Sequence, residues 1–356
     1  KTDLETYVAG VGGGFVGVSA SANVNRIASK ALVSVLGSDI DAGGATGASG
    51  SNVTITADVD NDATTFVGGV AAGAVGAAGA ALVNLFESNS LVTVGASGTQ
   101  NSDITASGSA TLDATTDLKT SAVAISGAGG GFAGAISANV TLAESQTKVE
   151  IGANQTVSAT GTVTLDANEA IDIAGTVGSV AVGGVSVGAS LDYARFGGSV
   201  RVVTGKDTRV QSQGDVNLRA ISSRQIGSTV VVGTVGGSAL AAAVSLASVG
   251  ATASDSDATT MLGTVNSELQ GSQEGSSGDA SRDRSSAGKL TTYAGGTGSA
   301  NSVKSQRRGI NVLAGASADR VAVEVGGGSR ILAGNDLSAE ASASTSLRQL
   351  GGAASL

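Results

Sequence analysis

The sequence predicts an all-β fold, a parallel β-helix or other β-solenoid of about five repeats of 53–57 residues with one long insertion. Three observations predict it. A short alternating strand recurs at near-constant spacing. Gly supplies 55 of 356 residues, about twice the ordinary share. No Pro stands anywhere to interrupt a hydrogen-bond ladder.

The recurring strand has the form V-x-[IL]-x-A. It occurs at Val53–Ala57, Ala110–Ala114, Val163–Ala167 and Val216–Ala220, with a weaker copy at Leu337–Ala341. Successive copies lie 57, 53, 53 and 121 residues apart. Fixed self-similarity at this scale marks stacked units that bury a continuous core between neighbours.

Two further strands precede the motif in each unit. One reads V-x-[VI], at Val33/Val35, Val92/Val94, Val149/Ile151, Val200/Val202 and Val321/Val323/Val325. The other reads [IV]-x-[AS], at Ile40/Ala42, Ile104/Ala106, Val157/Ala159, Val210/Ser212 and Ile331/Ala333. Period-2 alternation puts their aliphatics on one face and Thr, Asp, Asn, Glu and Arg on the other. Gly108, Gly161 and Gly214 bound them as turn residues.

The remainder of each unit is rich in Gly, Ala, Val and Ser, with small residues at both alternating positions. An extended chain of this kind lets neighbouring backbone approach either face closely. In a helix each Gly costs about 1 kcal/mol relative to Ala, so strand is expected over helix. Phe66 to Phe86 runs 21 residues without a charge, long enough for a spanning helix. Its Gly content, and the lack of flanking Lys/Arg clusters or Trp/Tyr belts, argue against one. The expected organisation is solenoid repeats over 1–251, a polar Gly/Ser-rich insertion over 252–308 and a further repeat over 309–356, with two or three coils per repeat. Lys1 opens the chain without an initiator Met or signal pattern, which reads as a segment or processed product of something longer.

Composition excludes whole classes of chemistry. With no His and no Cys, zinc sites, iron–sulfur centres, His-based triads and thiol nucleophiles are absent. The net charge of −9 argues against nucleic acid, whose phosphates call for a basic stripe.

The runs ANVNRIASKALVSVLGSDIDAGG from Ala22, NVTITADVDNDATTFVGGVAAGAVGAAGAALVN from Asn52, and NVTLAESQTKVEIGANQTVSATGTVTLDANEAIDIAGTVGSVAVGGVSVG from Asn139 carry a resemblance. They resemble the repeats of giant bacterial surface proteins, the filamentous-haemagglutinin-like and leukotoxin-type filamentous adhesins, over most of residues 5–250 and 310–350. The resemblance implies β-helical rods exported to the bacterial cell surface for adhesion or biofilm formation.

Candidate sites are few. Asp58, Asp60 and Asp62 form a D-x-D-x-D that could open a calcium loop, but Ala63 stands where the turn Gly belongs and Gly69 where the bidentate Glu belongs. Solvated strand carboxylates are the reading preferred. Gly12 to Gly14 lack the Lys-Ser/Thr of a P-loop. Asn52, Asn139 and Asn154 open N-x-T sequons that Thr-rich repeats produce by chance. The polar insertion reads first as a solvated loop; a sharper reading makes Arg282, Arg284, Arg307 and Arg308 a contact loop for acidic polysaccharide or an adjoining rod.

The expected function is therefore a non-enzymatic structural rod segment of an extracellular adhesin or filament, with no cofactor and with solenoid units end to end as its first partners. Two alternatives stay open. One is a self-assembling fibre subunit stacking head to tail. The other is a β-helical polysaccharide-active enzyme, for which three Tyr and five Phe leave little sugar platform.

Overall fold

The computed structural model describes residues 1–43, 50–95, 101–249 and 320–356, and every regular element among them is a β-strand. The first coil consists of β1 (Thr2–Gly13), β2 (Val16–Val35) and β3 (Ile40–Ala42). The second repeats the plan with β4 (Val53–Ala72), β5 (Val75–Val94) and β6 (Ile104–Ala106). In the third and fourth coils the long strands run on through the tip as β7 (Ala110–Ile151) and β9 (Val163–Thr204), each followed by a base strand, β8 (Thr156–Ala159) and β10 (Arg209–Ser212). The fifth holds β11 (Val216–Val235), β12 (Ser238–Val249), β13 (Arg320–Val325) and β14 (Arg330–Ala333), and β15 (Leu337–Ser355) begins a sixth.

A coil such as the second thus runs outward for twenty residues, turns, returns for twenty and crosses a short base strand. All pairings are parallel. The outgoing runs stack as β1-β4-β7-β9-β11-β15, and the base strands as β3-β6-β8-β10-β14. Ala57, Ala114, Ala167, Ala220 and Ala341 fall in one register column. Each repeat is therefore one coil, where two or three were expected. Alternation continues through the Gly-rich stretches, so a single circuit consumes the whole repeat.

Register corrects a second expectation. Val149 pairs with Val202 and Ile151 with Thr204, two residues away from the Val200/Val202 alignment read from the sequence. Thr147, Val200 and Val321 share a column, so the inward set is three residues long and a two-residue motif could be laid on it twice.

The fifth coil carries the insertion within its return strand. Val249 pairs with Phe196, and Arg320 with Ser199, so these two residues take, one coil on, the places of Phe196 and Ser199. The solenoid, 1–250 with 318–356, is one compact unit. Residues 250–319 lie outside the described residues, and with them the expected 252–308 loop and the first part of the 309–356 repeat.

At the base, three strand walls enclose a conventional aliphatic core. Val163, Leu165 and Ala167 from the outgoing wall, Val200 and Val202 from the return wall and Val157 and Val210 from the base wall are all buried. Thr164, Asp166 and Asn168 alternate outward. Beyond the base, the outgoing and returning sheets face each other directly and the gap narrows. A Cβ on Gly69 would lie 2.6 Å from the Gly79 carbonyl oxygen, and one on Gly12 2.2 Å from that of Val18. Gly, Ala and Ser dominate there, and the larger Val232 and Thr234 are admitted opposite Gly188, which explains the density of small residues. At the tip the glycines themselves stack: a Cβ on Gly73, Gly130, Gly183 or Gly236 would strike the carbonyl oxygen of the glycine one coil before, at 2.0–2.4 Å.

Candidate functional site

The alternation that builds the core also delivers charge into it. Counting inward from Leu165 gives Ala167, then Glu169, which is fully buried. From the next coil Arg224 Nε donates to Glu169 Oε1 at 2.8 Å, and Nη2 stands in ion-pair contact with the same oxygen at 2.8 Å. Ser222 Oγ donates to the same oxygen at 2.8 Å, and Ser145 Oγ, from the facing sheet, donates to Oε2. The Arg224 guanidinium lies 4.5 Å from the centre of the Phe196 ring. Both charges are thus desolvated, paired and hydrogen-bonded, the conditions under which a buried ion pair is tolerated.

A second buried carboxylate, Asp192, sits nearer the tip on the return sheet. Asn139 Nδ2 donates to its Oδ1 at 2.7 Å, and Ser228 Oγ donates to Oδ2. Ser245 Oγ lies 2.6 Å from Ser228 Oγ. Opposite stands Gly175, whose missing side chain makes the space: a Cβ there would lie 2.4 Å from the carboxylate. Burial pushes the Asp192 carboxyl above the usual range, against the opposing pull of the Ser228 and Asn139 hydrogen bonds. Glu169 and Asp192 are sealed between the sheets, so they position strands and are not presented to a substrate.

The outer face of the outgoing sheet is divided by polarity. Its base half is acidic and its tip half is apolar. Asp113 and Asp166 are neighbours in adjacent coils, followed in the same column by Arg219, 3.7 Å from Asp166, and Glu340, 3.8 Å from Arg219. Partial burial raises Asp113, and the charge of Asp166 raises it further. Asp166 is raised by partial burial, partly offset by Arg219. Asp117 is raised by partial burial and then by Asp60 and Asp58.

Asp58, Asp60 and Asp62 lie on this face as alternate residues of β4. An extended strand spaces such side chains by roughly 6.8 Å, so the three carboxylates form a row and do not converge on one ion. No group of three or more acidic side chains suited to a metal ion occurs among the described residues. Gly12 lies within β1 and Gly14 at the following tip, with no helix to receive a phosphate. Asn139 is buried against Asp192, which leaves it no room as a glycan acceptor. Arg282, Arg284, Arg307 and Arg308 lie outside the described residues.

Toward the tip the outer face changes character. Val70, Ile125, Val180 and Val231 stand 43–55% exposed on the outgoing sheet. The segment Phe66–Phe86 forms the tip halves of β4 and β5, and no described helix is long and apolar enough to cross a membrane. Sequence reasoning missed both the buried charges and this apolar face. Glu169 was accessible to simple parity counting; the apolar face became visible only once the register aligned successive coils. No family model, no curated protein and no solved structure matches the chain.

Proposed function

We propose that this chain is a non-enzymatic structural rod segment of an extracellular bacterial adhesin or filament, serving cell-surface adhesion or matrix formation. The observation that carries the reading is the unbroken register from Val53 through Ala110, Val163 and Val216 to Leu337. Coils that contact only their neighbours make a quasi-one-dimensional element whose length scales with repeat number, which suits a spacer. The clustered interior charges are sealed, and the outer carboxylates stand in rows along the strands. Neither arrangement supplies the convergent acid and base of a polysaccharide-active site.

Coating a surface with the purified chain and counting adherent bacteria tests the reading directly. Retention above an uncoated control is expected, with no depolymerisation of acidic polysaccharides by the same preparation. Turnover of any such polysaccharide would replace the rod with the enzyme. The head-to-tail fibre is favoured by one observation: among the described residues β1 pairs only with β4 and β15 only with β11, leaving backbone edges that accept a further strand. Electron microscopy over a concentration series separates a fixed rod from an open polymer.

A further inference from the structure

Two neighbouring outward columns near the tip alternate large side chains with none at all. The third coil carries Ile125 and then Gly127, the fourth Gly178 and then Val180, the fifth Val231 and then Gly233. Register sets Ile125, Gly178 and Val231 in one column and Gly127, Val180 and Gly233 in the next. The face is a chequerboard of knobs and holes with a period of two coils. Its holes are open: a Cβ at Gly127, Gly178 or Gly233 would meet nothing nearer than 3.7 Å. Each is flanked by the knob of the coil before, Val70, Ile125 and Val180 respectively, 3.9–4.0 Å from that Cβ position. The second coil continues the pattern with Gly68 and Val70, although the Phe66 ring leans over Gly68.

We propose that this face pairs two copies of the chain side by side in parallel, about a two-fold axis that runs along the solenoid between the two columns. That rotation keeps every coil at its own height and exchanges the columns. Ile125 of one copy then falls over Gly127 of the other, Val180 over Gly178 and Val231 over Gly233. A chequerboard is complementary to itself under this operation, and an isologous contact of this kind closes at two.

Area and charge agree. Four columns about 6.8 Å apart over six coils spaced about 4.8 Å give roughly 700 Å² on each copy, close to the ~800 Å² of a standard interface. None of the outward residues in these columns, which run from Tyr7 to Gly13 in the first coil, is charged. Asp60, Asp62, Asp117 and Asp172 stand nearer the base. The proposed axis sends the two bases in opposite directions, whereas an axis along the strands would bring those acidic rows together.

Sedimentation velocity of the full chain over a concentration series, with circular dichroism to check each fold, tests the pairing. The wild type is expected to show a monomer–dimer equilibrium. Gly127→Val fills a hole and is expected to weaken pairing about tenfold, and the swap Ile125→Gly with Gly127→Val is expected to restore it, because knob and hole exchange places under the two-fold. Ile125→Lys is expected to abolish it. A wild type that stays monomeric throughout would overturn the proposal. So would a Gly127→Val chain that associates as tightly as the wild type or tighter, which is what unspecific apolar adhesion gives. An open-ended polymer insensitive to these substitutions would assign association to the coil edges and sink the lateral contact.

Discussion

Leu165 and Thr164 are chain neighbours in opposite environments, one fully buried in the base core and the other on the outer face. Leu165→Asp places an unpaired charge there and is expected to cost about 3 kcal/mol or more. Thr164→Asp is expected to stay within about 0.5 kcal/mol. Urea midpoints of the two variants check the register, and comparable losses would refute it. Asp192 tests a subtler point. Its carboxyl pKa is raised by burial, so between the unfolded and the folded value the native state holds a proton the unfolded chain has released. Stability from this group is fully present below that window and is lost as pH rises through it. Asp192→Asn keeps a side chain able to accept from Asn139 and donate to Ser228, and removes the titration. Relative to wild type, the variant is expected to gain stability as pH rises above the ordinary carboxylate range and through the raised Asp192 value. Asp113, Asp117 and Asp166 share the sign of the effect and cancel in the comparison. Parallel pH profiles for the two proteins would exclude Asp192 as the titrating group.

At the scale of elements, the tip turn sets the geometry of the flat part of each coil. Gly130 has φ +158°, and a Cβ there would lie 2.2 Å from Gly73 O. Gly129, next to it, has open space in the same position. Gly130→Ala is therefore expected to destabilise by about 1–3 kcal/mol, while Gly129→Ala is near neutral, as thermal melts of the pair would show. These turns also explain what was legible beforehand. The base halves of the outgoing strands carry polar and apolar residues in alternation, so Val163, Leu165 and Ala167 announced their inward phase. In the tip halves both phases are small and apolar, and the contrast that reveals a strand's two faces vanishes. The turn then resets the parity: Val182 and Val185 are both exposed, although three residues apart. Counting forward from Glu169 therefore puts Asp192 on the wrong face, whereas Glu169 itself lies four residues from Leu165 on an uninterrupted strand.

Among the described residues, the pairing between coils joins successive coils, so the mechanical response of the solenoid is expected to be serial. Coils such as the third and fourth advance by 53 residues. Peeling one away releases roughly 180 Å of chain at about 3.4 Å per residue. Force spectroscopy on the chain held by its termini is expected to show rupture steps of that contour length. A single rupture spanning the entire solenoid would show that the coils are not independent units. The same independence bears on why the fold class was readable from spacing alone, since a neighbour-only architecture writes its period into every unit. Insertions do not blur that period when they leave the ladder at a point.

Such a point exists where Val249 hands over to Arg320 beside Phe196 and Ser199. Those two attachment residues stand three strand steps apart, roughly 10 Å, and the return ladder continues in phase on either side of them. A folded passenger whose own termini lie that close meets the spacing on which domain insertion depends. The junction therefore has the geometry of a graft site: exchanging the segment joined there for one of different length or chemistry is expected to leave the pairing of the described coils on both sides intact.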